Sequence, residues 1–207
     1  MTEPILAWHW VVRNKKGVLK LRNGRNVPPV GVPLEHKGKV EMCVRGLHAS
    51  RRAVDALGYT PYNATVLCRV RCEDIVDEQE DKLVCRKRTV LATFDCEKLL
   101  HEFACWRAER ELKRARIADE RSWNAIKTKR AWLKGEATNE ELDAARAAAM
   151  VVTWTTPLGG PKFIATADAT SAAIGEAWRV ARAAATATAG QENKLLSMLK
   201  EAGWDGL

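Results

Sequence analysis

The segment ATVLCRVRC, residues 64–72, places Val66, Cys68, Val70 and Cys72 at every second position, with Arg69 and Arg71 between them. Side chains alternate across a strand, so this pattern predicts a half-buried strand with one face on a core and one basic face in water. Other extended segments surround it. Residues 5–12, ILAWHWVV, are β-branched and aromatic and read as a strand. Asn14-Lys15-Lys16-Gly17 is turn chemistry, and Val18–Leu21 is the returning arm of a hairpin. Asn23-Gly24 and Pro28-Pro29 break the chain, and Pro33 confines an extended stretch at 30–34 to a sheet edge. Lys39–Val44 reads as a short strand that Gly46 ends, and Lys82–Thr93 as another after the acidic turn Asp77–Asp81. Between them Ser50 reads as the N-cap of a short helix, RRAVDALGY, which Gly58 stops.

From Asp95 the period changes. Leu99, Phe103 and Trp106 recur at helical spacing, Asp95 can cap, and Gly135 can stop one long helix over 96–134. Thr138 and Glu141 form a capping box for a helix over 139–153, and Pro157-Leu158-Gly159-Gly160-Pro161 is a break. In the alanine- and threonine-rich segment 163–189, Ala167, Ser171, Ile174, Trp178, Ala181 and Ala185 make a seam of mostly small side chains. Such a seam lets helices approach closely but buries little area per residue, so it needs neighbours. A last helical segment covers 191–202. The expectation is an α+β fold: a mainly antiparallel N-terminal sheet with one short helix, residues 1–94, then a long helix and a small alanine-rich helical bundle, residues 95–207.

The formal net charge is +8 and the pI about 9.3, which favours an acidic partner: a host protein, a nucleoprotein complex or nucleic acid. Acids outnumber bases after Gly135, so the positive excess belongs to the front two-thirds. The start, MTEPILAWHWVVRNKK, lacks a basic n-region, and no stretch approaches the roughly 20 apolar residues of a membrane span. The expected setting is cytoplasmic, with no membrane partner. Six cysteines there read as reduced, buried thiols. Cys68 and Cys72 share a strand face but lie about 13 Å apart at about 3.3 Å per residue, too far to hold one zinc ion. No cofactor is expected.

Two groups of residues carry the candidate chemistry. In Gly46-Leu47-His48-Ala49-Ser50-Arg51-Arg52, His48, Ser50, Arg51 and Arg52 gather at a helix start, where free N–H groups and two guanidinium groups can hold an anion. The plainer alternative is that Ser50 caps, the arginines splay into water and His48 packs. The second group is a basic face: Arg69, Arg71, Arg86, Lys87 and Arg88 on strands, with Arg110, Lys113 and Arg114 on the long helix. It can track a phosphate backbone, or it can be a solvated face laced with pairs such as Glu109–Lys113. Trp123 and Trp132 read as core. His101 and Cys105 are helical neighbours without a third orienting group, and no P-loop, G-x-S-x-G, H-E-x-x-H or dinucleotide glycine motif occurs.

Cys43, Gly46, Leu47, His48, Ala49 and Ser50 fit the pattern C-x-x-G-[FL]-H-A-[CS]. With the stretch ending DKLVCRKRTVLA, the chain resembles an uncharacterised family of phage and bacterial proteins that carry this signature in an N-terminal domain. RAWLKGEATNEELDAARAAA looks like the alanine-rich helices of phage-borne proteins. The resemblance implies a mobile-element context and transfers no chemistry. The order of His48, Tyr59, Tyr62 and Glu73 also looks distantly like small ADP-ribosyltransferase-type domains, which implies a nucleotide-derived substrate. The leading expectation is a non-enzymatic binding protein that engages nucleic acid or a nucleoprotein, such as a host defence complex. The alternatives are a small nucleotide-dependent transferase and a self-associating assembly protein.

Overall fold

A computed structural model of the 207-residue chain describes residues 3–60, 63–174 and 189–204. The fold is α+β. It divides into two compact units, Met1–Glu97 with Ala185–Leu207, and Lys98–Ala184.

The first unit is built on an antiparallel sheet. Its strands are β1 (Ile5–Arg13), β2 (Leu19–Lys20), β3 (Pro33–Glu35), β4 (Leu47–Ala49), β5 (Ala64–Glu78) and β6 (Leu83–Asp95). They run in the order β2-β1-β5-β6-β3, and β4 also pairs with β6. Ser50, one residue past β4, then exchanges backbone hydrogen bonds with Trp8 of β1 at 2.7 and 3.0 Å. The path β1-β5-β6-β4 thereby returns to β1. Irregularities at Val11/Val12, Arg69/Val70 and Ile75/Asp77, with Asp74 at φ +56°, let the long strands bend that far. The enclosed core holds Ala7, Val11, Val66, Cys68, Val70, Cys72, Leu83, Cys85 and Val90. The alternation read in residues 64–72 is what puts Val66, Cys68, Val70 and Cys72 inside.

The opposite face of β1 carries Trp8 and Trp10, both buried. Trp10 Nε1 donates to the Ala53 carbonyl of α1 (Ala53–Gly58) at 3.4 Å. Trp8 meets Trp204, just past the C-terminal helix α6 (Ala189–Glu201), edge to face at 4.7 Å between centroids. The expected strand at Lys39–Val44 is absent: Glu41 and Arg45 face each other across a turn in which Cys43 takes φ +62°. A left-handed residue cannot continue a strand, and the pairing starts later, at Leu47.

The second unit holds α2 (Glu97–Arg114, from Lys98), α3 (Glu120–Lys134), α4 (Asn139–Thr155) and α5 (Pro161–Ala172). The single helix expected over 96–134 is two. Arg116 at φ +53° ends the first, and Asp119 caps the second through the Arg121 N–H at 3.0 Å. The Thr138–Glu141 capping box is present, and Pro161 sits in the first turn of α5. The core is mostly alanine: Ala104, Ala108, Ala165, Ala169 and Ala172 pack with Cys105, Leu112 and Ile126. Ala165, Ala169 and Ala172 form the buried stripe of α5, so Ala167 and Ser171 do not belong to it. Trp178, Ala181 and Ala185 of the expected seam lie outside the described residues. Trp123 and Trp132 pack on the core, donating to the Ile117 carbonyl and Asn139 Oδ1, each at 2.8 Å.

Candidate functional site

Gly46 fixes the start of the motif segment. It takes φ +129°, and a Cβ there would stand 2.5 Å from Val84 Cγ2 and 2.8 Å from Val40 Cγ1. From Gly46 the chain enters β4 and reaches α1, but the four expected anion ligands then go separate ways. Ser50 is buried in the strand bridge to Trp8 and does not cap. The N-cap of α1 is Arg52, extended at φ −104° and ψ 141°, with no side-chain cap bond. Arg51 forks onto Glu78, and Arg52 onto Asp55 at 2.6 and 2.8 Å. The His48 ring accepts the Cys43 N–H at 3.0 Å.

The anion at this helix start is the protein's own. Glu192 of α6 accepts from the backbone N–H groups of Ala53 and Val54 at 3.0 and 2.8 Å. Burial raises its pKa, and the two N–H donors pull it back down. No local pattern could reveal this carboxylate, which comes from the far end of the chain. Glu192→Ala leaves both donors without it and should cost about 1–2 kcal/mol. Amide exchange at Ala53 and Val54 should accelerate in that variant, while unchanged protection would show that the contact contributes nothing.

The basic-face residues are spread over distinct surroundings. Arg69 lies over the Trp8 ring at 4.4 Å. Arg71 and Lys87 both reach Glu73, at 3.4 and 3.2 Å, and Arg86 donates to the Gly38 carbonyl at 2.6 Å. Arg88 is buried inside the curled sheet. In the helical unit Arg110 lies 5.6 Å from the Trp106 ring, Lys113 pairs with Glu109 at 3.4 Å, and Arg114 with Glu111 at 4.0 Å. Of the residues read as transferase-like, Tyr59 donates to Asp81 and Glu73 is taken by its two cations. Tyr62 lies outside the described residues.

A further group of cations without carboxylate partners lies on the first hairpin. Lys15, Lys16, Lys20, Arg22 and Arg25 follow one another with no acid among them, and among the described residues none forms an ion pair. Two turns display them. Asn14 Oδ1 accepts from Lys16 and Val18 N–H at 3.0 and 2.9 Å, and Leu21 N–H bonds the Arg25 carbonyl at 2.9 Å. Lys15, Lys16, Arg22 and Arg25 are exposed, and Lys20 Nζ donates to Asn26 Oδ1 at 2.6 Å. The signal for this hairpin in the sequence is its charge, five bases and no acid over residues 15–25, and not its turn chemistry.

Burial pushes the Cys68, Cys96 and Cys105 thiols up to about 12. Among the described residues no cluster of His, Cys, Asp and Glu is placed to share a metal ion, and no helix is long and apolar enough to cross a membrane.

No curated protein matches the chain, and no solved structure matches it. Residues 16–102, from the basic hairpin through the Gly46–Arg52 segment and β6 into α2, match the family model of a domain of unknown function, DUF7666.

Proposed function

We propose that the protein is a non-enzymatic binder of nucleic acid, free or within a nucleoprotein, and that the β1–β2 hairpin is its phosphate-contacting edge. The observation that carries this reading is the run Lys15, Lys16, Lys20, Arg22 and Arg25, displayed on two turns with no carboxylate beside it. Cations already paired with acids release few counterions on binding, whereas unpaired ones release the ions condensed on each phosphate they neutralise. The candidates on the sheet face and on α2 are mostly paired or stacked, whereas the hairpin gathers five cations in one acid-free run. The hairpin offers backbone contacts and no base-reading element, so the binding should depend little on sequence.

Titration of a labelled 20-nucleotide duplex at two salt concentrations tests this. Affinity should fall steeply with salt, by a slope of about 0.9 per contact in the log–log plot. The variant K15E/K16E/R22E/R25E should lose most of that slope at every sequence tried. Absence of binding by the wild-type chain at low salt sinks the reading.

A further inference from the structure

The interior of the curled sheet holds one cation that its surroundings leave uncompensated. Arg88 of β6 is 5% exposed and stands opposite Cys72 of β5. Cys68 and Cys85 complete its thiol surroundings, and His9 of β1, paired across the sheet with Cys68, lies on the same interior. A guanidinium carries five N–H donors in one plane and does not give up its proton at neutral pH. Arg88 uses Nη1 to donate to the His48 carbonyl, the one hydrogen bond of its side chain among the described residues. No carboxylate of the described residues faces it. Arg51, Arg52, Arg71, Arg121 and Arg130 each hold an acid. A buried charge is costly unless it is paired and hydrogen-bonded, so this position is poor architecture and good recognition chemistry.

We propose that the inside of the curled sheet is a binding site for a small oxyanion, a phosphate or a carboxylate group, clamped by the Arg88 guanidinium with His9 beside it. Two acceptor oxygens in one plane match the free edge of the guanidinium fork. His9 is held in its neutral form by burial first, then by the Arg88 and His48 charges, so its ring keeps one N–H to donate and one lone pair. His9 is only partly exposed, so it lies at the border of this interior. The Cys68 and Cys72 thiols are pushed up by their surroundings and stay protonated, so neither supplies the missing negative charge. Cys85, pulled down by the Cys72 hydrogen bond and the Arg88 charge, is the internal rival; its Sγ donates to the Leu47 carbonyl at 3.2 Å.

Thermal unfolding of the full chain in inorganic phosphate and in acetate, against chloride at equal ionic strength, tests the site. The wild-type melting temperature should rise saturably with one of the two oxyanions, and the one that works identifies the source of the group. Arg88→Met keeps the volume and removes the charge. It should melt as high as the wild type or higher in chloride and show no oxyanion response. Arg88→Lys keeps the charge without the fork and should weaken the response about tenfold in apparent affinity. The hairpin variant K15E/K16E/R22E/R25E should respond like the wild type, which separates this site from the phosphate-contacting edge. A wild-type chain that responds to neither anion overturns the proposal. So does an Arg88→Met variant that folds and keeps the response.

Discussion

Gly46→Ala should lower the stability of the sheet unit by about 2–6 kcal/mol, the sum of backbone strain and overpacking. The new methyl would lie 2.5 Å from Val84 Cγ2 and 2.8 Å from Val40 Cγ1, and the residue would still have to hold φ +129°. Both valines are buried and β-branched, so neither can swing aside. The comparison with Gly17→Ala separates the causes. Gly17 also has positive φ, +79°, but nothing lies within 4 Å of its Cβ position. Its substitution should cost only about 1 kcal/mol. Val84→Ala in the Gly46→Ala background should recover part of the loss, because it removes the nearer methyl. Urea denaturation of the four chains measures this, and equal costs at Gly46 and Gly17 would remove crowding from the explanation. The effect matters for more than stability. Gly46 sets the entry to β4, β4 closes the sheet onto β1, and that closure encloses Arg88.

The second large effect is on the acid side of the stability profile. His101 of α2 is buried, its Nδ1 has no partner, and burial followed by the Lys129 charge lowers its pKa to about 4. The unfolded chain takes up this proton near pH 6.5, while the folded chain resists until about 4. The unfolded state therefore binds more protons inside that window, and stability falls as pH drops through it. A displacement of about 2.5 pH units corresponds to about 3 kcal/mol. Lys129 beside it is fully buried, donates to the Ile174 carbonyl at 3.1 Å, and has its pKa lowered to about 8 by burial. Its charge stays in place across the acid window and keeps opposing a second one. Trp132 faces both groups and cannot titrate. The carboxylates paired in the fold, such as Glu109 with Arg130, add their own loss at lower pH, below about 4.5. His101→Leu should flatten the profile between pH 6.5 and 4 by about 3 kcal/mol and leave the lower limb in place. A profile unchanged by that substitution would falsify the assignment.

Several elements were legible because their causes are local. The two-residue alternation of 64–72 depends on nothing but the pleat, and its apolar positions are buried as read. The capping box at Thr138 and Glu141 closes within four residues, and both of its bonds are present. The helix break at 115–119 was local too, but the loose apolar spacing beyond Leu112 hid it. Asp119 accepting from Arg121 N–H was the available signal. Ser50 is a different case. Its local pattern favours a helix cap, but it pairs instead with Trp8, more than forty residues away.

Charge shows the same divide. The net surplus of +8 and the acid-free run from Lys15 to Arg25 are properties of the sequence, because no fold can change how many charges a segment carries. Which charges remain available was a tertiary matter. Glu73 took Arg71 and Lys87, Glu78 took Arg51, and Glu192 came from the far end of the chain to the start of α1. The same folding carried Arg88 out of water and left it without an acid. Local order follows from backbone and side-chain preferences within a few residues, so the sequence by itself determined elements such as the alternating strand at 64–72 and the Thr138–Glu141 cap. Pairing, burial and the closing of the sheet depend on groups brought together from distant positions, so only the tertiary structure decided which cations hold an acid and which do not.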